Sequence, residues 1–312
     1  MRKIGLLLSL MLPAAALALP TAKYTLKVVD ESGMPIQGAN ASISFMQPNS
    51  TGWGGKTNFV SGDTDINGIY TGQGETEQYG VYGAGAAGFY DTSFKYTGLK
   101  SVTGILGFRR WQPWNPTLEV VLKKIKNPIA MYAYDTDWIE LPKKGEFVGY
   151  DLIKQDWLVP YGKGLTADFS LRITSDMRSQ SDYEIDFEIA FSNEVDGIQA
   201  FDIVTNGGSE FKSDHFAPAT GYVNSFKNKR EENPKKRLMP YKKEGRNYYF
   251  RTRCDDDMEN CLYGKIYGDI EFSSKSVRFT YYLNPTPGDR NVEFDTKKNL
   301  FKQRQGYDIK QP

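Results

Sequence analysis

Residues that favour turns recur at short intervals in this chain, and no stretch has apolar residues at helical spacing for more than about three turns. Apolar residues instead alternate with polar ones in short runs, which Gly, Pro and Asn separate. The 30 glycines, 20 tyrosines and 18 phenylalanines suit many short strands joined by turns. The sequence therefore predicts an all-β fold.

The length predicts two domains, because 312 residues exceed one average domain and leave room for two cores. Strand-like runs fill the second half, at 165–173, 183–191, 199–204, 248–253, 262–272 and 277–283. We expect a second β-sandwich or jelly-roll layer there. The predicted organisation is a β-sandwich at 20–126, a linker at 127–145 and a second β-rich domain at 146–312.

The first residues have the pattern of an export signal. Arg2 and Lys3 precede an apolar run at 4–12, and Ala-Leu-Ala at 16–18 is a small-residue cleavage site. The apolar run is shorter than the ~20 residues that span a bilayer, which disfavours an uncleaved anchor. We predict a cleaved signal peptide at 1–18, a secreted or periplasmic location, and no membrane span after cleavage.

The charge of the chain argues against nucleic acid as a partner. Without Arg2 and Lys3, 37 basic residues face 38 acidic ones. A general nucleic-acid-binding domain is strongly basic over one face or throughout. The one basic stretch, 226–246, is interpreted either as a long solvated loop or as a surface that attracts an anionic polysaccharide.

Asn67 and Gly68 predict a two-residue hairpin turn, because both residue types tolerate positive φ. The same segment, with Asp63 and Asp65, has the D-x-D-x-N-G spacing that opens a calcium loop. The twelfth position is Gly74 rather than the bidentate Glu that closes such a loop. We expect no cofactor, with a weak calcium site at Asp63, Asp65 and Asn67 as the alternative.

Four strings within residues 24–125 carry a family resemblance: VVDESGMPIQGANASISF, GDTDINGIYTG, GAAGFYDTSF and LEVVLKKI. Together they resemble the carboxypeptidase regulatory-like domain, a transthyretin-like β-sandwich with the carbohydrate-binding-like fold. The resemblance implies a fold and hardly an activity, because its motifs are turns and strands. Two loops depart from the pattern, a Gly-rich insertion between Tyr70 and Phe89 and the segment GFRRWQPWNP, and either is a candidate binding loop.

Tryptophans in these loops are the candidate ligand-binding residues. Sugar rings present apolar C–H faces that stack on Trp. Trp111 and Trp114 lie in a segment broken by prolines, and Trp53 lies in another loop. We predict a carbohydrate platform at Trp53, Trp111 and Trp114, with core packing as the alternative for each.

The run 183–189, YEIDFEI, places apolar residues on one strand face and Glu184, Asp186 and Glu188 on the other. The string EIDFE resembles the catalytic strand of the laminarinase and xyloglucan-transferase glycoside hydrolase family. That resemblance implies Glu184 as nucleophile, Asp186 as its helper and Glu188 as acid/base. The alternative, which we favour, is a strand with a solvated polar face.

Cys254 and Cys261 predict a disulfide that closes a hairpin loop in an exported protein. Two cysteines and one histidine are too few for a typical zinc site. That histidine, His215, is predicted to be structural, because no nucleophile elbow accompanies it. The sequence as a whole favours an exported, non-catalytic binding or surface-interaction protein with a glycan or cell-surface partner, and a glycoside hydrolase is the alternative.

Overall fold

The computed structural model describes residues 19–48, 55–76, 80–103, 109–238, 243–302 and 309–312. These residues form strands, turns and loops without a helix, which confirms the all-β prediction. Consistent with this, no helix in the described ranges is long and apolar enough to cross a membrane. The predicted signal peptide at 1–18 lies outside the described residues.

The chain divides into two compact units, Met1–Leu122 and Lys123–Pro312. The strands of the first unit are β1 Thr21–Asp30, β2 Asn40–Pro48, β3 Gly55–Asp63, β4 Ile69–Glu75, β5 Gly80–Gly85, β6 Thr92–Tyr96, β7 Lys100–Thr103, β8 Arg109–Gln112 and β9 Thr117–Leu122.

The first unit is a β-sandwich. One sheet has the order β4-β1-β9, in which β9 runs parallel to β1, and the facing strands have the order β6-β5-β2-β3. Alternate residues of β1 and β2 meet in a core that includes Tyr24, Leu26, Ile43 and Phe45. The rings of Tyr24 and Phe45 stack across this core with centroids 5.7 Å apart.

The turn at Asn67 and Gly68 forms, but it does not make the predicted hairpin. Gly68 has a φ of +72°, and the Asp65 carboxylate accepts the backbone N–H groups of Asn67 and Ile69. The strands on either side, β3 and β4, pair with β2 and β1 in different sheets. The turn therefore carries the chain from one layer of the sandwich to the other.

The second unit contains the remaining strands: β10 Ile129–Asp135, β11 Ile139–Glu140, β12 Val148–Asp151, β13 Asp156–Trp157, β14 Phe169–Ser179, β15 Asp182–Ala190, β16 Gly197–Asp202, β17 Gly207–Ser209, β18 Ser225–Asn233, β19 Lys236–Leu238, β20 Arg246–Thr252, β21 Leu262–Phe272, β22 Ser276–Leu283 and β23 Phe294–Asn299.

This unit is also a β-sandwich. A seven-stranded sheet has the order β16-β20-β21-β22-β10-β23, with β11 on β22, and a six-stranded sheet has the order β13-β12-β14-β15-β18-β19. The core between them is rich in aromatic rings, and Phe187 stacks on Phe272 with centroids 5.2 Å apart. On the other face of the seven-stranded sheet, Met131, Ala133, Tyr282, Phe294 and Ile309 form a second buried cluster.

The segment 127–145, predicted as a linker, is instead part of this second sandwich. Strand β10 lies between β22 and β23 in the seven-stranded sheet. Met131 and Ala133 belong to the cluster on the outer face of this sheet, while Tyr132 and Tyr134 pack against the main core. Because both faces of β10 are covered, its sequence lacks the polar alternation that marks a half-exposed strand.

Candidate functional site

Strand β15 has the two faces that its alternating sequence predicts. Tyr183, Ile185, Phe187 and Ile189 are buried in the sandwich core. The carboxylates of the intervening residues lie on the outer face of the six-stranded sheet, among side chains of β14 and β18. This outer face is the candidate site.

Three rows of side chains cross the outer face, because residues in register on β14, β15 and β18 lie side by side. The rows are Arg172, Glu188 and Lys227; Thr174, Asp186 and Lys229; and Asp176, Glu184 and Glu231. We call these nine residues the charged face.

Glu188 is held by cations on both neighbouring strands. The guanidinium of Arg172 donates to one of its carboxylate oxygens, and the ammonium of Lys227 lies 3.4 Å from the other. Only 15% of the Glu188 side chain is exposed. The ring of Phe147, whose centroid is 4.3 Å from the guanidinium carbon, covers Arg172 in turn. This row is therefore fixed by contacts on every strand.

Glu184 has a cation of its own in a different row. The Lys229 ammonium donates to it over 2.7 Å, and this hydrogen bond raises the pKa of Lys229. Lys229 also lies 3.9 Å from the carboxylate of Glu231. The two glutamates of the EIDFE string are thus paired with separate cations.

A concavity of about 540 Å³ lies over the first two rows. It is lined by Arg172, Thr174, Asp186, Phe187, Glu188, Lys227, Asn228 and Lys229. Asp186 and Thr174 are exposed members of this lining, and the charge of Asp186 helps to raise the pKa of the neighbouring Lys229. The concavity thus offers a carboxylate and a hydroxyl on a rigid strand surface.

The two glutamates that the glycoside hydrolase resemblance assigns to catalysis are separated along β15. Glu184 and Glu188 are four residues apart on one strand, so their Cα atoms are separated by ~13 Å. Their carboxylates pair with different cations. Glu184 also lies outside the lining of the concavity that contains Asp186 and Glu188.

The tryptophans predicted as a platform have different positions. Trp111 is buried, and its indole N–H donates to the backbone oxygens of Pro20 and Thr76, so it presents no ring face to a ligand. Trp114, three residues later, is 53% exposed. Trp53 lies outside the described residues. The prediction is therefore wrong for Trp111, because its indole fills the core of the first sandwich.

The carboxylates of the calcium-like motif do not converge. Asp65 Oδ1 caps its own turn at 2.8 Å from the Asn67 nitrogen, while Asp63 is exposed at the end of β3. In the described ranges no group of three His, Cys, Asp or Glu side chains is arranged to hold a metal ion.

The predicted disulfide between Cys254 and Cys261 is confirmed. It closes the loop between β20 and β21.

A buried ionic cluster that the sequence did not indicate lies beside this disulfide. Arg253 donates to Asp168 and Asp151 over 2.8 and 3.0 Å. Burial raises the pKa of Asp168 more than Arg253 lowers it. For Asp151, backbone N–H donors and Arg253 together outweigh burial and lower the pKa.

Lys265 is a second charged group that the sequence did not single out. It lies within the apolar pattern of β21 and is only 3% exposed. Its ammonium contacts the Ser213 hydroxyl at 3.2 Å and the backbone oxygen of Pro312 at 2.9 Å, between the rings of Phe211 and Tyr282. Burial lowers the pKa of Lys265 to about 7. The only sequence feature that could have indicated this buried lysine is its position among the apolar residues of the strand.

His215 is buried, as expected of a structural histidine. Its Nε2 lies 2.8 Å from the backbone oxygen of Lys124 and 3.8 Å from the carboxylate of Glu293. The carboxylate of Glu293 also accepts the backbone N–H groups of Lys126 and Asn127. These contacts hold residues 124–127, near the start of the second unit, against His215 and against Glu293, which directly precedes β23.

Known proteins show only distant similarity to this chain. No protein-family model matches it, and no curated protein does. Among solved structures, a mutant of the shaft pilin SpaA of Lactobacillus rhamnosus GG is 11% identical and aligns over 87% of this chain and 95% of its own, with a TM-score of 0.23. A putative carbohydrate-binding protein of Bacteroides uniformis is 11% identical over 85% and 99% of the two chains, with a TM-score of 0.20. A streptococcal ancillary pilin is 14% identical over 83% and 58%, with a TM-score of 0.18. TM-scores this low do not establish a common fold, so they say nothing about function.

Proposed function

We propose that this chain is an exported, non-catalytic binding protein that holds a glycan in the concavity on the outer face of its second sandwich. The observation that carries the proposal is the concavity of about 540 Å³ on three paired strands, with Asp186 and Thr174 exposed in its lining. Export rests on the signal-peptide pattern at 1–18.

The surrounding contacts suit binding better than chemistry. A binding surface needs polar groups that neighbouring contacts hold in place. The pairing of Glu188 with Arg172 and Lys227 does this on one side of Asp186, and the pairing of Glu184 with Lys229 does it on the other. Glu184 lies outside the concavity, so the two glutamates do not flank one bound substrate as a nucleophile and an acid/base would.

The test is a binding assay with purified protein against immobilised polysaccharides of several classes. We expect retention on at least one class, and we expect the double substitution Thr174→Ala and Asp186→Ala to reduce affinity at least tenfold. Both side chains are exposed, so the variant should unfold at the wild-type temperature. Equal retention of wild type and variant would refute the assignment of the binding site to this concavity.

The glycoside hydrolase alternative gives a different result in the same samples. An enzyme would release new reducing ends from the bound polysaccharide, and Glu188→Gln would abolish the release. A binding protein leaves the polysaccharide chain length unchanged. We expect no release above a heat-denatured control.

A further inference from the structure

The charges in the concavity are already matched to one another. Its lining has three cationic side chains, Arg172, Lys227 and Lys229, against the carboxylates of Asp186 and Glu188, and Glu184, outside the lining, pairs with Lys229. Such a surface has little net charge with which to attract either an anion or a cation.

An anionic ligand would compete with a glutamate for every cation in the lining of the concavity. Arg172 and Lys227 pair with Glu188, and Lys229 pairs with Glu184. A ligand carboxylate or sulfate that took over a contact of Glu188 would leave this side chain, which is only 15% exposed, with one cation fewer. These ion pairs therefore oppose a carboxylated or sulfated ligand.

Hydroxyl groups fit the surface without breaking any pair. A sugar hydroxyl donates one hydrogen bond and accepts others at the same oxygen, as Ser and Thr hydroxyls do. In the second row, Asp186 accepts, Lys229 donates and Thr174 does either, on adjacent strands ~4.8 Å apart. Neighbouring hydroxyls on one ring can therefore contact an acceptor and a donor at once.

We infer that the concavity selects neutral, hydroxyl-rich glycans and discriminates against uronate-containing or sulfated ones. This inference rests on the proposed function and specifies its ligand class. Asp186 is the main contact, since charge-assisted hydrogen bonds to a carboxylate are about twice as strong as neutral ones.

A glycan array followed by titration calorimetry on the best ligand tests this selectivity. We expect the hits to be neutral glycans, and the dissociation constant to change less than about twofold between 0.05 and 0.5 M NaCl, because screening acts on net charge. Asp186→Asn should weaken binding about tenfold. The matched control is Asp176→Asn, which alters an exposed aspartate of the same face that lies outside the concavity and pairs with Arg178.

The outcomes separate the two proposals. Hits confined to anionic glycans, with affinity that falls steeply in salt and still depends on Asp186, would overturn the selectivity and keep the binding function. Equal effects of Asp186→Asn and Asp176→Asn would overturn the assignment of Asp186. An array without any hit would overturn the binding function itself.

Discussion

Lys265 should make the stability of the second unit depend on pH in the alkaline range. Its ammonium is buried beneath the backbone oxygen of Pro312 and between two aromatic rings. Desolvation is the largest influence on this group, Glu293 partly opposes it and Lys123 adds to it, and the pKa falls from 10.5 to about 7. In the unfolded chain the lysine returns to its ordinary pKa of roughly 10.4.

The sign and size follow from proton linkage. Between pH 7 and pH 10.5 the unfolded chain holds a proton on Lys265 that the folded protein has lost, so the free energy of unfolding rises with pH. Each pKa unit corresponds to about 1.4 kcal/mol. From pH 7.5 to pH 9.0 the titration of this one group should add about 2 kcal/mol to stability.

The assay is urea unfolding of wild type and Lys265→Met at both pH values. The wild type should gain about 2 kcal/mol more than the variant, because Met cannot titrate while other groups contribute equally to both proteins. Lys275→Met is the control, since its ammonium is exposed beside Glu140, and it should follow the wild type. Parallel pH dependences for wild type and Lys265→Met would refute the burial of a neutral lysine.

Three further substitutions test the framework around the site. Trp111→Ala should lower the free energy of unfolding by about 3–5 kcal/mol, as expected for a buried Trp, whereas Trp114→Ala should change it by less than about 0.5 kcal/mol in the same thermal melt. Replacing both Cys254 and Cys261 by Ser should remove about 2.5 kcal/mol for a loop of this length, and an unchanged urea midpoint would contradict that account. Gly68→Ala should destabilise the first unit by about 1–3 kcal/mol, because φ is +72° and the new Cβ would lie 2.3 Å from a backbone oxygen; amide exchange in β1 and β4 would show the loss.

Local pattern predicted β15 most completely, because one of its faces is exposed. The run at 183–189 alternates strictly, and its faces are those of β15. The predicted boundaries of β21 also match those observed, 262–272, although most of its residues are buried. Strand β10 was missed because both of its faces are covered. The residues of β18 were interpreted as part of a solvated loop, because the sequence does not show that Lys227 and Lys229 pair with carboxylates of β15.

Tryptophan burial shows what local sequence leaves undecided. Trp111 and Trp114 lie in one Pro-containing segment with similar neighbours, yet one fills the core and the other is exposed. The difference depends on Pro20 and Thr76, which are distant in sequence and supply the acceptors for the Trp111 indole.

By itself the sequence determined the all-β class, the two-faced strand that carries Glu184, Asp186 and Glu188, the turn at Gly68 and the disulfide. These features depend on neighbours a few residues apart, or on two cysteines close in the chain, so a local pattern reveals them. Only the tertiary structure decided that Glu188 meets Arg172 and Lys227 while Asp186 stays exposed. Strand β18 reaches β15 after more than thirty intervening residues, and register across strands is set by the packing of the whole sheet.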